Sequence, residues 1–181
     1  MSSTNPRGTR RGLVLVFTGE GKGKTTAALG LLLRAWGRGM RVVVIQFLKA
    51  ETGRWGEVRA AQRLGWEWHK TGRGFTWQHT RPEDDAARAR AGWELAQTKI
   101  ASGQYDLVLL DEFTYPLHYG WLEPRAVVQW LAAHKPPSVH VVITGRHAPP
   151  VLLEFADLVT HMRKVKHPFD AGIKAQPGIE F

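Results

Sequence analysis

The chain has 181 residues, 43% of them hydrophobic and 23% charged, a composition typical of one folded domain. It contains no cysteine, which excludes disulfides, thiolate metal sites, a cysteine nucleophile and a CxxC redox centre. No apolar run reaches the roughly 20 residues that a membrane-spanning helix needs, and the start of the chain lacks the apolar segment of a secretory signal. We therefore expect a cytoplasmic protein without a membrane partner.

Positive charge is in excess along the chain, with a net charge of +9. Three arginines and no acidic residue fall within residues 1–12, which we expect to form a flexible basic arm before a single domain of residues 13–181. Such a charge suits an anionic partner, either a phosphate-bearing ligand or nucleic acid. Charge alone does not separate these partners from a surface that is basic only for solubility.

Strand-like apolar runs alternate with helix-like segments, the order typical of a parallel sheet covered by helices on both faces. The predicted strands are 13–18, 41–47, 66–70, 105–111, 139–144 and 158–161. The predicted helices are 25–37, 57–64, one that begins at Thr80 and ends at Gly103, 124–134 and 150–155. Four stretches interrupt this order and are expected to be loops that carry binding residues, namely 50–56, 71–79, 113–122 and the tail 164–181.

The first predicted strand runs directly into a glycine- and lysine-rich loop that precedes an Ala- and Leu-rich helix; this loop reads Gly19-Glu20-Gly21-Lys22-Gly23-Lys24-Thr25-Thr26. Glycines let backbone N–H groups turn toward phosphate oxygens, Lys24 adds positive charge, and the Thr25 hydroxyl can bind Mg²⁺. The end of the loop fits the motif GxxxxGK[ST], although Thr18 occupies the position of the first glycine. We predict a nucleoside triphosphate site and an α/β fold of the P-loop NTPase-like, RecA-type class.

Two adjacent carboxylates, Asp111 and Glu112, follow the buried-looking run 107–110. In phosphate-loop enzymes an acid at the end of such a strand engages Mg²⁺ directly or through water. A guanine-specific NKxD motif is excluded because Asn5 is the only asparagine in the chain. The sequence therefore favours ATP over GTP.

Several further motifs occur in the predicted loops. The sequence TGRGFTW at 71–77 places Phe75 and Trp77 beside glycines, and it is joined by DEFTY at 111–115, TGRH at 144–147 and VKHPFDAGIKAQPGIEF at 165–181. Together with GEGKGKTT at 19–26, these motifs closely resemble the ATP:corrinoid adenosyltransferases of the housekeeping cobalamin-biosynthesis type, also called cob(I)yrinic acid a,c-diamide adenosyltransferases. The resemblance extends over nearly the whole chain, from residue 13 to 181.

The resemblance implies an enzyme that transfers the 5′-deoxyadenosyl group of ATP to the cobalt of a Co(I) corrinoid and releases triphosphate. It implies that ATP lies in the phosphate loop in the reverse sense to ordinary ATPases, so that C5′ is exposed to cobalt. A flavodoxin-like flavoprotein is the expected reductant and a homodimer the expected assembly. The pathway is cobalamin biosynthesis or salvage, and the preferred corrinoid stays open.

The resemblance also implies roles for individual residues. The triphosphate would be bound by Gly19, Gly21, Lys22, Gly23, Lys24, Thr25 and Thr26. Thr25 and the catalytic candidate Glu112 would ligate Mg²⁺, with Asp111 supporting them. The other catalytic candidates, Phe75 and Trp77, would press on the lower face of the corrin and expel its axial ligand.

Two alternatives share the phosphate loop. One is an ATP hydrolase in which Glu112 activates water. The other is an ATP-switched module that binds nucleic acid through its basic charge and its tryptophan-rich loops, a partner that the resemblance does not imply. The eight histidines form no HExxH motif, so we expect most of them to be surface or core residues.

Overall fold

A single parallel sheet organises the part of the chain that the computed structural model describes, residues 11–50, 55–72 and 82–180. The sheet has six strands: β1 (Val14–Thr18), β2 (Val42–Ala50), β3 (Glu67–Gly72), β4 (Leu107–Asp111), β5 (His140–Thr144) and β6 (Leu158–His161). Their spatial order is β3-β2-β4-β5-β1-β6, and every neighbouring pair is parallel. The predicted sheet of parallel strands is therefore confirmed.

Helices connect these strands and cover both faces of the sheet. They are α1 (Lys24–Trp36), α2 (Gly56–Arg63), α3 (Pro82–Ala101), α4 (Thr114–His118), α5 (Pro124–His134) and α6 (Pro150–Phe155), with a short 3-10 helix at Pro168–Ala171. The predicted helices are confirmed in the described residues, whereas Thr80, the predicted start of α3, lies outside them. The strand β2 continues past its predicted end at Phe47, after a bulge in which Leu48 has a φ of 64°.

The prediction that residues 113–122 form a loop was wrong in part, because α4 occupies some of this stretch. Pro116 in this segment disfavours a helix interior, but it is the third residue of α4. The N–H groups of a helix's first turn have no partner inside the helix, so a proline there removes no hydrogen bond. The helix ends within one turn, and the chain reverses at Gly120, whose φ is 71°.

The two faces of the sheet bury alternate residues of each strand. In β2, Val43 and Ile45 pack into one core with side chains of α3 and α5. Val42 and Val44 face the other side, where Leu32 of α1 is fully buried. Because successive residues of a strand point to opposite faces, the continuous apolar runs of the central strands follow from this double coverage.

The strand order brings three polar strand ends together. β4, β5 and β1 are adjacent in the sheet, and they end at Asp111, Thr144 and Thr18. Parallel strands present their carboxyl ends at the same edge, where ligands bind in open α/β sheets. This edge therefore carries the candidate site.

The described chain begins in contact with the domain. Arg11 forms an ion pair of 2.7 Å with Asp157, and the N–H of Gly12 donates to the carbonyl of Pro137. These two residues belong to the predicted arm, whose first ten residues lie outside the described ranges. Among the described helices, none combines the length and the apolar character needed to cross a bilayer.

Candidate active site

The phosphate loop connects β1 to α1 and packs against the segment that follows β6. The N–H of Gly21 donates to the carbonyl of Met162 at 2.7 Å. A Cβ atom at Gly19 would lie 2.6 Å from that same carbonyl oxygen, and one at Gly21 would lie 2.8 Å from the carbonyl of Arg163. Glycine is required at both positions by this close approach of backbone, and at Gly19 also by a φ of 99°.

Thr18 occupies the place of the first glycine in the usual motif, and the structure gives it a local role. Its side chain is buried, and its hydroxyl accepts a hydrogen bond of 3.4 Å from the N–H of Ala148. Its carbonyl accepts a bond of 2.7 Å from the N–H of Met162. Thr18 thus joins the loop to the segments after β5 and β6.

Lys24 is held inside the curve of the loop. Its Nζ donates to the carbonyls of Gly19 and Gly21, at 2.7 Å each. Burial lowers the pKa of Lys24, the nearby Arg146 guanidinium lowers it further, and the Glu112 carboxylate opposes the shift. A partly desolvated cation enclosed by a glycine loop is suited to a phosphate oxygen.

A buried network connects the loop to the acidic pair. The Thr25 hydroxyl donates to Oδ1 of Asp111 at 2.8 Å, and the Thr144 hydroxyl donates to the same oxygen at 2.7 Å. Gln46 donates to Oδ2 of Asp111 at 2.7 Å. Asp111 is fully buried, and these three hydrogen bonds fix the position of its carboxylate. The fixed carboxylate in turn orients the hydroxyl of Thr25.

Glu112 stands just beyond this network, at the surface of the cavity. Its N–H donates to Oγ1 of Thr144 at 3.0 Å, and its φ is 60°. Positive φ is uncommon for a residue with a side chain, and such conformations persist only where surrounding contacts impose them. Thr144 therefore holds both acids, Asp111 through its hydroxyl hydrogen and Glu112 through its oxygen.

A cavity of about 670 Å³ lies over the loop. Its lining contains three predicted groups, namely the loop residues Gly21–Thr26, Glu112, and the tail residues Gly178–Glu180. Burial raises the pKa of Tyr115, another lining residue, to about 12, and the charge of Glu112 adds to this effect. The size of the cavity is in the range of small-molecule sites.

Trp55 and Arg146 line the same cavity, although the sequence analysis assigned no role to either residue. Trp55 precedes α2 in a predicted loop, and Arg146 belongs to the TGRH motif. The motif was the only signal for Arg146. Nothing local in the sequence indicates that Trp55 lines this cavity, because its position depends on where α2 packs.

Phe75 and Trp77 lie outside the described residues, so their predicted contact with the corrin stays a prediction. The strand before them, β3, ends at Gly72. A Cβ atom at Gly72 would lie 2.2 Å from the carbonyl carbon of Leu48, so a glycine is needed there.

Histidines do not converge as metal ligands in the described parts of the chain, where no cluster of three His, Asp or Glu side chains suited to a metal ion is found. His118 and His147 stack with ring centroids 4.4 Å apart beside the phosphate loop. His134 stacks on Trp130 at 5.0 Å.

Comparison with known proteins gives consistent matches over the chain. The family model for ATP:corrinoid adenosyltransferase BtuR/CobO/CobP matches residues 10–181. Corrinoid adenosyltransferases of Escherichia coli strain K12 and Pseudomonas aeruginosa are 46% and 44% identical, each over 94% of this chain and over 86% and 84% of their own lengths. The corrinoid adenosyltransferase CobA of Salmonella typhimurium is 43% identical over 94% of this chain and 86% of its own. With its phosphate loop, acidic pair and tail in the places described above, the chain belongs to the ATP:corrinoid adenosyltransferase family of the BtuR/CobO/CobP type.

Proposed function

We propose that the protein transfers the 5′-deoxyadenosyl group of ATP to the cobalt of a Co(I) corrinoid, with triphosphate as the second product. The observation that carries this proposal is the cavity in which the phosphate loop, Glu112 and the tail residues Gly178–Glu180 meet. Family membership supplies the corrinoid, since the matched family and relatives are named for it. The loop residues that line this cavity support a triphosphate site there.

The reaction makes modest chemical demands on the protein. Co(I) attacks C5′, the C5′–O bond breaks, and its electron pair leaves with the triphosphate as the Co–C bond forms. Because cobalt is itself the nucleophile, the chain needs no activated serine or cysteine. Its work is to hold C5′ in line with cobalt and to neutralise the leaving group.

We assign the triphosphate to the backbone N–H groups of the loop and to its cations. Gly19, Gly21 and Gly23 give the loop its shape, and α1 begins at Lys24, so its N-terminus points toward the bound phosphates. Lys22, Lys24 and Thr26 line the cavity with Thr25. Lys24 is partly buried, so water screens its charge less than the charge of an exposed lysine.

The donor set beside the loop fits Mg²⁺. Thr25 offers a hydroxyl and Glu112 a carboxylate at the cavity surface, oxygen ligands of the kind that Mg²⁺ prefers together with phosphate. These two residues would hold the ion, and Asp111 would orient Thr25 through their 2.8 Å hydrogen bond. When bound, the ion would neutralise charge that develops on the leaving triphosphate.

The reducing step requires a second protein in this proposal. The chain has no cysteine pair to deliver electrons to cobalt, and the sequence resemblance points to a flavodoxin-like flavoprotein. Phe75 and Trp77 would assist by expelling the lower axial ligand from cobalt. We also propose a homodimer, a state that the resemblance implies and that sedimentation of the purified protein tests.

An anaerobic assay with ATP, Mg²⁺ and chemically reduced Co(I) cobalamin tests the proposed function. We expect the visible spectrum of a Co–C bond to appear together with one equivalent of intact triphosphate. Omitting Mg²⁺ should stop the reaction. Orthophosphate and ADP as the main products, without a Co–C bond, would identify an ATP hydrolase instead, and salt-sensitive oligonucleotide binding would favour the nucleic-acid module.

A further inference from the structure

Glu20 places a carboxylate within the loop that binds the triphosphate in the proposed function. Like charges repel, and a triphosphate carries several negative charges, so a glutamate at this position opposes nucleotide binding unless something else uses its charge. The side chain is 55% exposed and forms no part of the network around Asp111. Its role is therefore to be found in the contacts of its carboxylate.

Two residues of the TGRH motif face that carboxylate. Oε2 of Glu20 lies 3.2 Å from Nη1 of Arg146, and Oε1 lies 3.9 Å from Nδ1 of His147. The His147 ring stacks on His118, and the φ of His147 is 55°. The carboxylate thus bridges the phosphate loop to the loop after β5.

The backbone of Arg146 is fixed independently of its side chain. The hydroxyl of the fully buried Thr114 donates to the carbonyl of Arg146. The preceding residue, Gly145, donates its N–H to the carbonyl of Phe17 at 3.2 Å. A Cβ atom at Gly145 would lie 2.1 Å from Oγ1 of Thr114, so the two loops are closely packed. These contacts fix the backbone of Arg146 but not the orientation of its guanidinium, which needs a contact of its own.

That guanidinium faces the nucleotide cavity. Arg146 lines the cavity together with Lys22 and Lys24, and its side chain is 44% exposed. Its charge contributes to lowering the pKa of Lys24, so the two cations are close enough to repel. Cations that line one cavity are suited to an anionic ligand.

We infer that Glu20 is a positioning residue that directs Arg146 toward the triphosphate of bound nucleotide. The inference rests on the proposed function, because it assumes that a triphosphate occupies this cavity. Glu20 cannot move far from the site, since Gly21 is bonded to Met162 and Gly19 is held against the same backbone. A guanidinium has five N–H donors, so it can keep its contact with Glu20 and donate to phosphate oxygens as well.

Direct measurement of ATP affinity by calorimetry, with Mg²⁺ present, separates positioning from repulsion. Positioning predicts that Glu20→Gln raises the Kd for ATP by roughly threefold to tenfold, the range of a partly exposed charged hydrogen bond. Repulsion alone predicts the opposite sign, because the variant removes a negative charge beside a polyanion. Glu94→Gln removes an equal charge from an exposed position on α3 and should leave the Kd unchanged.

The same substitution in an Arg146→Ala background completes a double-mutant cycle. If Glu20 acts through Arg146, Glu20→Gln no longer weakens ATP binding in that background and instead leaves it unchanged or improves it.

In the adenosylation assay, Glu20→Gln should raise the KM for ATP while the KM for corrinoid and kcat stay near the wild-type values.

Three results would overturn the inference: tighter ATP binding by Glu20→Gln alone, equal weakening with and without Arg146, or a rise in the corrinoid KM instead of the ATP KM. A wild-type protein that does not bind ATP would contradict the proposed function itself. The two failures are therefore distinguishable, because the first three results all require that the wild-type protein binds nucleotide.

Discussion

Lys22 of the phosphate loop forms an ion pair with Glu180 of the C-terminal tail, 158 residues further along the chain. Glu180 lines the cavity over the phosphate loop, so its carboxylate would compete with a phosphate in that cavity for the same cation. We predict that Glu180→Gln tightens the binding of inorganic triphosphate by about twofold to fivefold, because exposed ion pairs contribute about 0.2–1 kcal/mol. Calorimetric titration of the two proteins measures this difference.

The tail offers a matched control for that prediction. Lys164 and Asp170 form a second ion pair of 2.9 Å within the tail, and neither residue lines the cavity. Asp170→Asn should leave triphosphate affinity as it is in the wild type. If both variants changed the affinity equally, the effect would belong to the net charge of the tail and not to Lys22.

The hydroxyl of Thr144 connects Asp111 and Glu112, so removing that hydroxyl tests the hydrogen-bond network around Asp111. Thr144→Val keeps the shape of the side chain but removes the donor to Asp111 and the acceptor for the N–H of Glu112. Since both groups are then left short of a partner, we expect a loss of about 1–3 kcal/mol in the free energy of unfolding. Urea denaturation measures this loss, and Mg²⁺ affinity in the presence of ATP should fall with it.

A second threonine separates this effect from the general cost of removing a hydroxyl. Thr98 lies exposed on α3, where its hydroxyl donates to the carbonyl of Glu94 at 3.0 Å. Thr98→Val should change stability by less than about 0.5 kcal/mol, as surface substitutions usually do. Similar losses for both variants would mean that the network around Asp111 adds nothing of its own.

Glu67 on β3 makes the stability of the protein depend on pH in a predictable way. Burial raises its pKa, but hydrogen bonds from Lys99, Tyr105 and His69 outweigh burial and lower the pKa to about 2 from 4.5. A carboxylate with a depressed folded-state pKa stabilises the protein above its unfolded pKa and loses that contribution as the pH falls through the folded value.

We therefore predict that Glu67→Gln is less stable than the wild type at pH 7 and that the difference shrinks between pH 4.5 and pH 2. Because the side chain is 37% exposed, solvent screening makes the effect small. Thermal unfolding of both proteins across this range measures it, with Glu154→Gln on α6 as a control for the loss of an exposed charge. A constant difference at every pH would contradict the linkage.

The hydrophobic pattern of the sequence predicted most of the helices and strands, because continuous apolar runs correspond to strands that are buried on both faces of the sheet. The runs that became β1 and β4 are buried at every position, and each is followed by polar residues at the edge of the sheet. The spatial order of the strands was not predictable in the same way. It depends on which crossover packs against which face, and no single segment specifies that. The one-turn helix α4 was missed because Pro116 obscures so short a helix.

The candidate site likewise contains some contacts that the sequence predicted and others that it did not. Thr25 and Asp111 were expected together, since both belong to motifs with a known spatial logic, and the structure joins them at 2.8 Å. The contact of Glu20 with Arg146 joins loops from β1 and β5, strands that become neighbours only in the folded sheet. Long-range pairs of this kind follow from topology and are therefore visible only in the structure.

Phe75 and Trp77 carry the prediction that separates this enzyme from a generic phosphate-loop ATPase. If they expel the lower axial ligand, they ease the reduction of Co(II) to Co(I) and take no direct part in forming the Co–C bond. Replacing both with alanine should then abolish adenosylation when Co(II) cobalamin must be reduced by a flavoprotein. Much of the activity should survive when chemically prereduced Co(I) cobalamin is supplied, because that substrate has already passed the assisted step.

Spectroscopy of the ATP complex with Co(II) cobalamin gives a second measurement of the same role. The wild type should show the signature of four-coordinate Co(II), and the Phe75→Ala, Trp77→Ala double variant should lose it. Trp36→Ala is a suitable control, because Trp36 is a partly exposed aromatic at the end of α1, away from the carboxyl edge of the sheet. Equal losses in the Co(II) and Co(I) assays, with folding intact, would make the pair general binding or packing residues. Full activity in both assays would remove them from the site.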